Sequence, residues 1–137
     1  MKSEFITLIW LATFENQAQL TDYVDWKYLE NEDDPKCSFA DDIGLKYFDS
    51  DFLESAFVET PSKLIEQIDN ISFVENFKVQ LLAKINDIDH SEKNSIISLS
   101  GKKDVYGGIN EKLLDFTPTL NDKKYLQFVG LYKYEET

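Results

Sequence analysis

The ten residues from Phe5 to Phe14, "FITLIWLATF", constrain the fold more than any other stretch of this chain. β-branched and aromatic side chains dominate them, which suits a pleated, buried strand. The run is far short of the roughly 20 apolar residues that span a bilayer as a helix. It also reads poorly as a signal peptide, because Glu4 sits at its start and no small-residue cleavage site comes after it. The expectation is a buried first strand in a soluble chain.

The next segment changes period. In residues 15–30, "ENQAQLTDYVDWKYLE", Leu20, Tyr23, Val24 and Tyr28 recur at helical spacing. After a charged break at Pro35, Ser38 is placed to cap a short helix through Phe39 and Ile43, with Gly44 as its left-handed stop. Residues 45–59 fit a turn with a short helix as well as they fit a strand. Residues 60–68, "TPSKLIEQI", predict a helix with Thr60 as cap and Pro61 at its first position. In residues 72–88, Phe73, Phe77, Leu81 and Ile85 step by four, joined by Leu82, and Ser72 with Glu75 makes a capping box. Residues 94–100 and 124–136 read as strands, with a turn-rich "GKKDVYGG" connection at 101–108. Strand, helices, then strands is the order of an α+β domain. The prediction is one domain over residues 1–137: a small, mainly antiparallel sheet of the N-terminal and C-terminal strands, with several helices packed on one face.

Charge narrows the partners. The 26 acids and 14 bases leave a formal charge of −12. That opposes nucleic acid or an anionic membrane as ligand and favours a basic protein. The charge is also concentrated: residues 22–59 hold twelve carboxylates against three lysines, a net of −9. Like charge held together costs stability, so solubility alone does not account for it. Tyr23, Trp26, Tyr28, Phe39, Tyr47, Phe48, Phe52 and Phe57 are interleaved with these acids. Aromatic anchors ringed by charge are a composition that protein interfaces favour.

Catalytic chemistry finds little support. Cys37 and His90 are the only cysteine and histidine, so no internal disulfide forms and no structural zinc site of several Cys and His ligands can be assembled. A reducing, cytoplasmic setting is the simpler expectation. A Cys37–His90 pair would be needed for nucleophilic catalysis, and nothing local favours it. No phosphate-binding or dinucleotide-binding glycine motif occurs, and no cofactor is implied. Asp49, Asp51 and Glu54 are the one acidic set with metal-like spacing, which keeps a metal-dependent hydrolase or metal-binding regulator as an alternative. An acidic mimic of DNA, inhibiting a nucleic-acid-binding protein, shares the charge argument as a second alternative.

Taken together, "LIWLATF", a helix ending in "DYV", "SFADDIGLKYFDSDFLE", an "SFVENF" helix and the closing "FVGLYKY" resemble the immunity protein 22 family of bacterial polymorphic toxin systems. The resemblance is densest at Phe48, Asp49, Asp51, Phe52 and Glu54. It implies a small, non-enzymatic cytoplasmic protein that protects its own cell by binding a cognate toxin domain. Such domains are delivered by contact-dependent inhibition or other secretion routes, and many are nucleases. On that reading the toxin is a basic protein, met by Trp26, Asp33, Asp34, Asp41, Asp42, Tyr47, Asp49, Asp51 and Glu54. Toxin specificity should lie in residues that vary between such proteins, so the aromatics Phe48 and Phe52, which the family shares, are expected to serve the fold. Asp41, Asp42 and Lys46 are then better contact candidates than their neighbours.

Overall fold

A computed structural model describes residues 3–28, 30, 34–104, 107–117 and 125–136. The predicted first strand, β1 (Ser3–Ala12), lies inside a five-stranded antiparallel sheet. On one side it pairs with β3 (Ser95–Asp104) and on the other with β5 (Leu126–Glu136). The far edge of β3 is shared end to end: β2 (Leu53–Phe57) pairs with residues 95–99 and β4 (Gly107–Ile109) with residues 102–104. First and last strands are therefore neighbours, as expected.

The expectation of helices on one face is corrected. Ile6, Leu8, Trp10 and Ala12 point into one core, while Ile9 and Leu11 point into another. A strand that is apolar on both faces must be covered on both. The first core is closed by α1 (Gln17–Val24), α2 (Ser38–Ile43) and a 3-10 turn at Glu111–Asp115. The second is closed by residues 58–77 and α3 (Lys78–Asn86). A bulge opposite Ile9 and Trp10 shifts the parity of β5. Leu126 and Phe128 thus face the first core, while Val129, Tyr132 and Tyr134 face the second.

Local signals explain the helices and their departures from expectation. Asn16 caps α1 by accepting from the Gln19 amide, and the Gln19 side chain accepts in return from the Glu15 amide. The helix stops at Val24, so Tyr28 leaves the predicted buried stripe and is 76% exposed. Gly44 ends α2 in the left-handed region at φ 81°, as its position predicted. The cap residue of α2 is Cys37, however, and Ser38 begins the helix itself. Residues 45–59 take both readings in turn: a 3-10 turn at Ser50–Phe52, then β2.

The helix expected after Thr60 is a chain of 3-10 turns at Pro61–Lys63, Ile65–Asn70 and Val74–Asn76. The buried residues Ile68, Ile71, Val74 and Phe77 step by three, which suits a helix with three residues per turn. The predicted Ser72–Glu75 capping box is absent too. The Ser72 amide and hydroxyl instead donate to the Glu54 carboxylate at 2.9 and 3.1 Å. Phe73 next to it adopts φ 62° and is 42% exposed, and α3 begins only at Lys78. The "GKKDVYGG" connection is likewise mostly strand, since β3 runs through Asp104 and β4 resumes at Gly107. Among the described residues, no helix is long and apolar enough to cross a membrane.

Candidate functional site

Three elements meet where β1 ends. Thr13 donates its amide to the Tyr125 carbonyl at 2.9 Å, which extends the β1–β5 pairing by one step and fixes Tyr125 beside α1 and α2. The Asn94 side chain clasps the backbone of Phe14 in both directions, accepting at 3.0 Å and donating at 2.7 Å. Tyr23 arrives on the last turn of α1 and Asp42 on the last turn of α2. Both phenols, Tyr23 and Tyr125, donate to Oδ2 of Asp42 at 2.7 Å.

These residues line an open cleft of about 650 Å3, together with Thr13, Phe14, Glu15, Gln19, Asp22, Ser38 and Asp41. Among the described residues, four carboxylates and no lysine or arginine line it. Lys27 reaches Asp22 from outside at 3.0 Å; among the described residues no ion pair forms with Glu15, Asp41 or Asp42. Burial, then the Asp42 carboxylate, pushes the Tyr23 phenol well above the ordinary tyrosine range. Burial and the same carboxylate push Tyr125 up to about 12. Both therefore remain neutral donors, which hold Asp42 in place without cancelling its charge.

A second exposed feature lies at the end of a run of rings. Tyr23 packs on Phe39 at 5.8 Å, Phe39 on Phe48 at 5.9 Å, and Phe48 on Trp26 at 5.1 Å. Tyr47, 61% exposed, stacks over Trp26 at 5.3 Å. The indole N–H of Trp26 is buried and has no acceptor among the described residues. The two predicted aromatic anchors are thus brought together.

The predicted acids are not. Asp41 and Asp42 line the cleft, and Asp34 is exposed in the loop before α2. Asp33 lies outside the described residues. Asp49 is tied into the fold, accepting from the Asp51 amide at 3.0 Å and donating its own amide to Asn110 Oδ1 at 2.6 Å. Glu54 is engaged with Ser72, and Phe48 is buried at 1% exposure. Asp51 is exposed beside a separate crevice lined by Phe5, Phe52 and Phe73. Among the described residues no group of three or more His, Cys, Asp or Glu side chains is placed to hold a metal ion, so Asp49, Asp51 and Glu54 do not form such a set.

Cys37 is buried in the first core, where its thiol donates to the Tyr23 carbonyl at 3.7 Å. Burial pushes its ionisation upward, the reverse of what a nucleophile needs. His90 lies in the loop after α3, an element that packs on the other core.

Sequence reasoning missed Tyr125, Asn94 and Asn110. Asn94 and Asn110 act through side-chain bonds to backbone far along the chain, which no local pattern encodes. Tyr125 had one signal: it precedes the strand that pairs with the end of β1.

The architecture defines a small α+β protein with an open cleft lined by carboxylates and aromatic rings. The chain belongs to the Immunity protein 22 family, whose model matches residues 7–135. No curated protein matches the chain, and no solved structure does. Family membership supports an immunity role, which implies a toxin as the partner.

Proposed function

We propose that this chain is a non-enzymatic inhibitor that protects its own cell by binding a basic toxin domain on the face formed by α1, α2 and the start of β5. The observation that carries the reading is the cleft: aromatic rings together with four carboxylates, and no lysine or arginine among the described residues that line it. Family membership supplies the class of partner. A nuclease is the toxin class that fits best, because a surface built to bind phosphates presents the positive charge that such a face attracts. The Trp26–Tyr47 stack, with Tyr47 exposed, offers a second anchor of low conformational cost. Charge would govern the encounter and the rings would govern residence. The setting proposed is the cytoplasm of a bacterium exposed to toxins from neighbouring cells, by contact-dependent inhibition or another secretion route.

The test is co-expression with the C-terminal domain of a large secreted protein encoded in the adjacent reading frame. Rescue of growth together with a stable complex on gel filtration is the expected result. Continued toxicity with no complex would overturn the proposal for that partner.

A further inference from the structure

We infer that the cleft is a receptor for one arginine side chain presented by the bound partner. The inference deepens the toxin-binding reading, on which it rests for the source of the arginine. Three rings that pack on one another line the cleft, the buried Phe14 and Tyr23 and the exposed Tyr125: Phe14 and Tyr23 at 5.0 Å, Tyr23 and Tyr125 at 5.9 Å and edge-on, Phe14 and Tyr125 at 6.5 Å. A guanidinium is drawn to such rings by their quadrupoles and, being weakly hydrated, loses little on leaving water.

The rim selects for positive charge. Lys27 engages Asp22, which leaves Glu15, Asp41 and Asp42 without ion pairs among the described residues. Both phenols bond to Oδ2 of Asp42, so Oδ1 takes no bond among the described residues while the carboxylate is held still. A fixed carboxylate with an open oxygen beside aromatic rings suits a planar, multiply donating cation. The other occupants fit worse. A neutral apolar group would desolvate three carboxylates and return nothing. A second copy of the chain would bring another charge of −12.

The experiment titrates the whole protein with N-acetylargininamide and with its neutral isostere, N-acetylcitrullinamide, following backbone amide NMR shifts. Expected are saturable shifts confined to residues 13–23, 38–42 and 125 with the arginine probe, and binding at least about fivefold weaker with the citrulline probe. Equal binding of the two probes would overturn the inference, as would shifts that grow linearly across the whole acidic segment. Glu15→Gln combined with Asp41→Asn alters two exposed side chains that make no fold-holding bond among the described residues. This variant should keep the native spectrum and lose about fivefold in arginine affinity.

The two readings fail separately. A protein that binds the arginine probe at the cleft but not the toxin domain supports the cleft and sinks the immunity proposal. If the double variant has lost the probe yet holds the toxin domain as tightly as the parent, the inhibitor role stands, while the arginine site and the cleft as the toxin-binding face are both overturned.

Discussion

A carboxylate that accepts two phenols at one oxygen is an arrangement with a pH signature. Folding keeps Tyr125 protonated up to about 12, against an ordinary value of 10.0 in the unfolded chain. The unfolded state therefore releases its proton first as pH rises. Stability from burying this phenol and from its bond to Asp42 is complete below about pH 10 and is lost as pH climbs through about 12. Tyrosinate absorbance should show the late-titrating phenol directly, and denaturant midpoints should fall between about pH 9 and 12. Ionisation of every tyrosine at the ordinary value, with the fold intact, would mean the Tyr125–Asp42 bond is not made. Asp42→Asn keeps an acceptor oxygen but removes the charge. It should bring the Tyr125 titration down toward 10.0 and lower stability by about 1–2 kcal/mol, since bonds to ionised groups exceed neutral ones by roughly that amount.

Among the elements, β1 was the most legible because its code is local: a run of β-branched and aromatic residues states a buried strand without any reference to the rest of the chain, although its burial on both faces was not read from it. The short α2 with its Gly44 stop was legible for a similar reason, since a left-handed glycine is a local requirement. Residues 60–77 were not. Their cap and proline signals imply a period of 3.6, whereas the second core takes their apolar side chains at a period of three. The capping box at Ser72 failed because Glu54, eighteen residues away, offers a charged acceptor that the local pattern cannot reveal.

The densest part of the family resemblance divides the same way. Phe48 is buried, as expected of the shared aromatics; Asp49 and Glu54, expected as contacts, make bonds within the fold, while Asp41 and Asp42 line the cleft. Of the cleft's acids only Asp41 and Asp42 were set apart as candidates, and Tyr125 was not, because it comes to them from more than eighty residues on.

The junction of β3 with the Asn110 turn gives an element-scale test. Asn110, at φ 48°, donates to the Ser100 carbonyl at 3.0 Å and to the Asp49 carbonyl at 3.2 Å. Its own carbonyl oxygen would lie only 2.5 Å from a Cβ added to Gly101. Because that neighbour is backbone, Gly101→Ala forces the two segments apart and should cost about 2 kcal/mol. Asn110→Ala loses its side-chain bonds and the ease of the left-handed conformation, and should cost about 2–3 kcal/mol. Urea midpoints measure both. A Gly101→Ala protein as stable as the parent would show that β3 and the Asn110 turn do not touch as described.

At the scale of the molecule, one strand contributes to both cores, so neither core can be lost while the other stays intact. We propose on this ground that residues 1–137 unfold as one domain. Near-ultraviolet and far-ultraviolet circular dichroism should give coincident urea transitions, and two separated midpoints would refute it.

The same scale governs how the partner is met. A formal charge of −12, with −9 of it in residues 22–59, sets up a field that extends beyond contact distance and is screened over about 8–10 Å at ordinary ionic strength. Association with a basic toxin domain should therefore slow steeply as salt is raised, while dissociation changes little. Exposed acids outside the cleft act only through this field. Asp34→Lys with Asp51→Lys should lower the association rate by about fivefold at low salt and leave the dissociation rate within about twofold. Cleft substitutions should do the opposite, because contacts formed after docking are expressed in dissociation. Stopped-flow rates for both variants at two salt concentrations separate the two contributions. If the Asp34→Lys, Asp51→Lys protein associates as fast as the parent at every salt concentration, the acidic concentration along residues 22–59 does not steer the partner, and its stability cost must answer to something else.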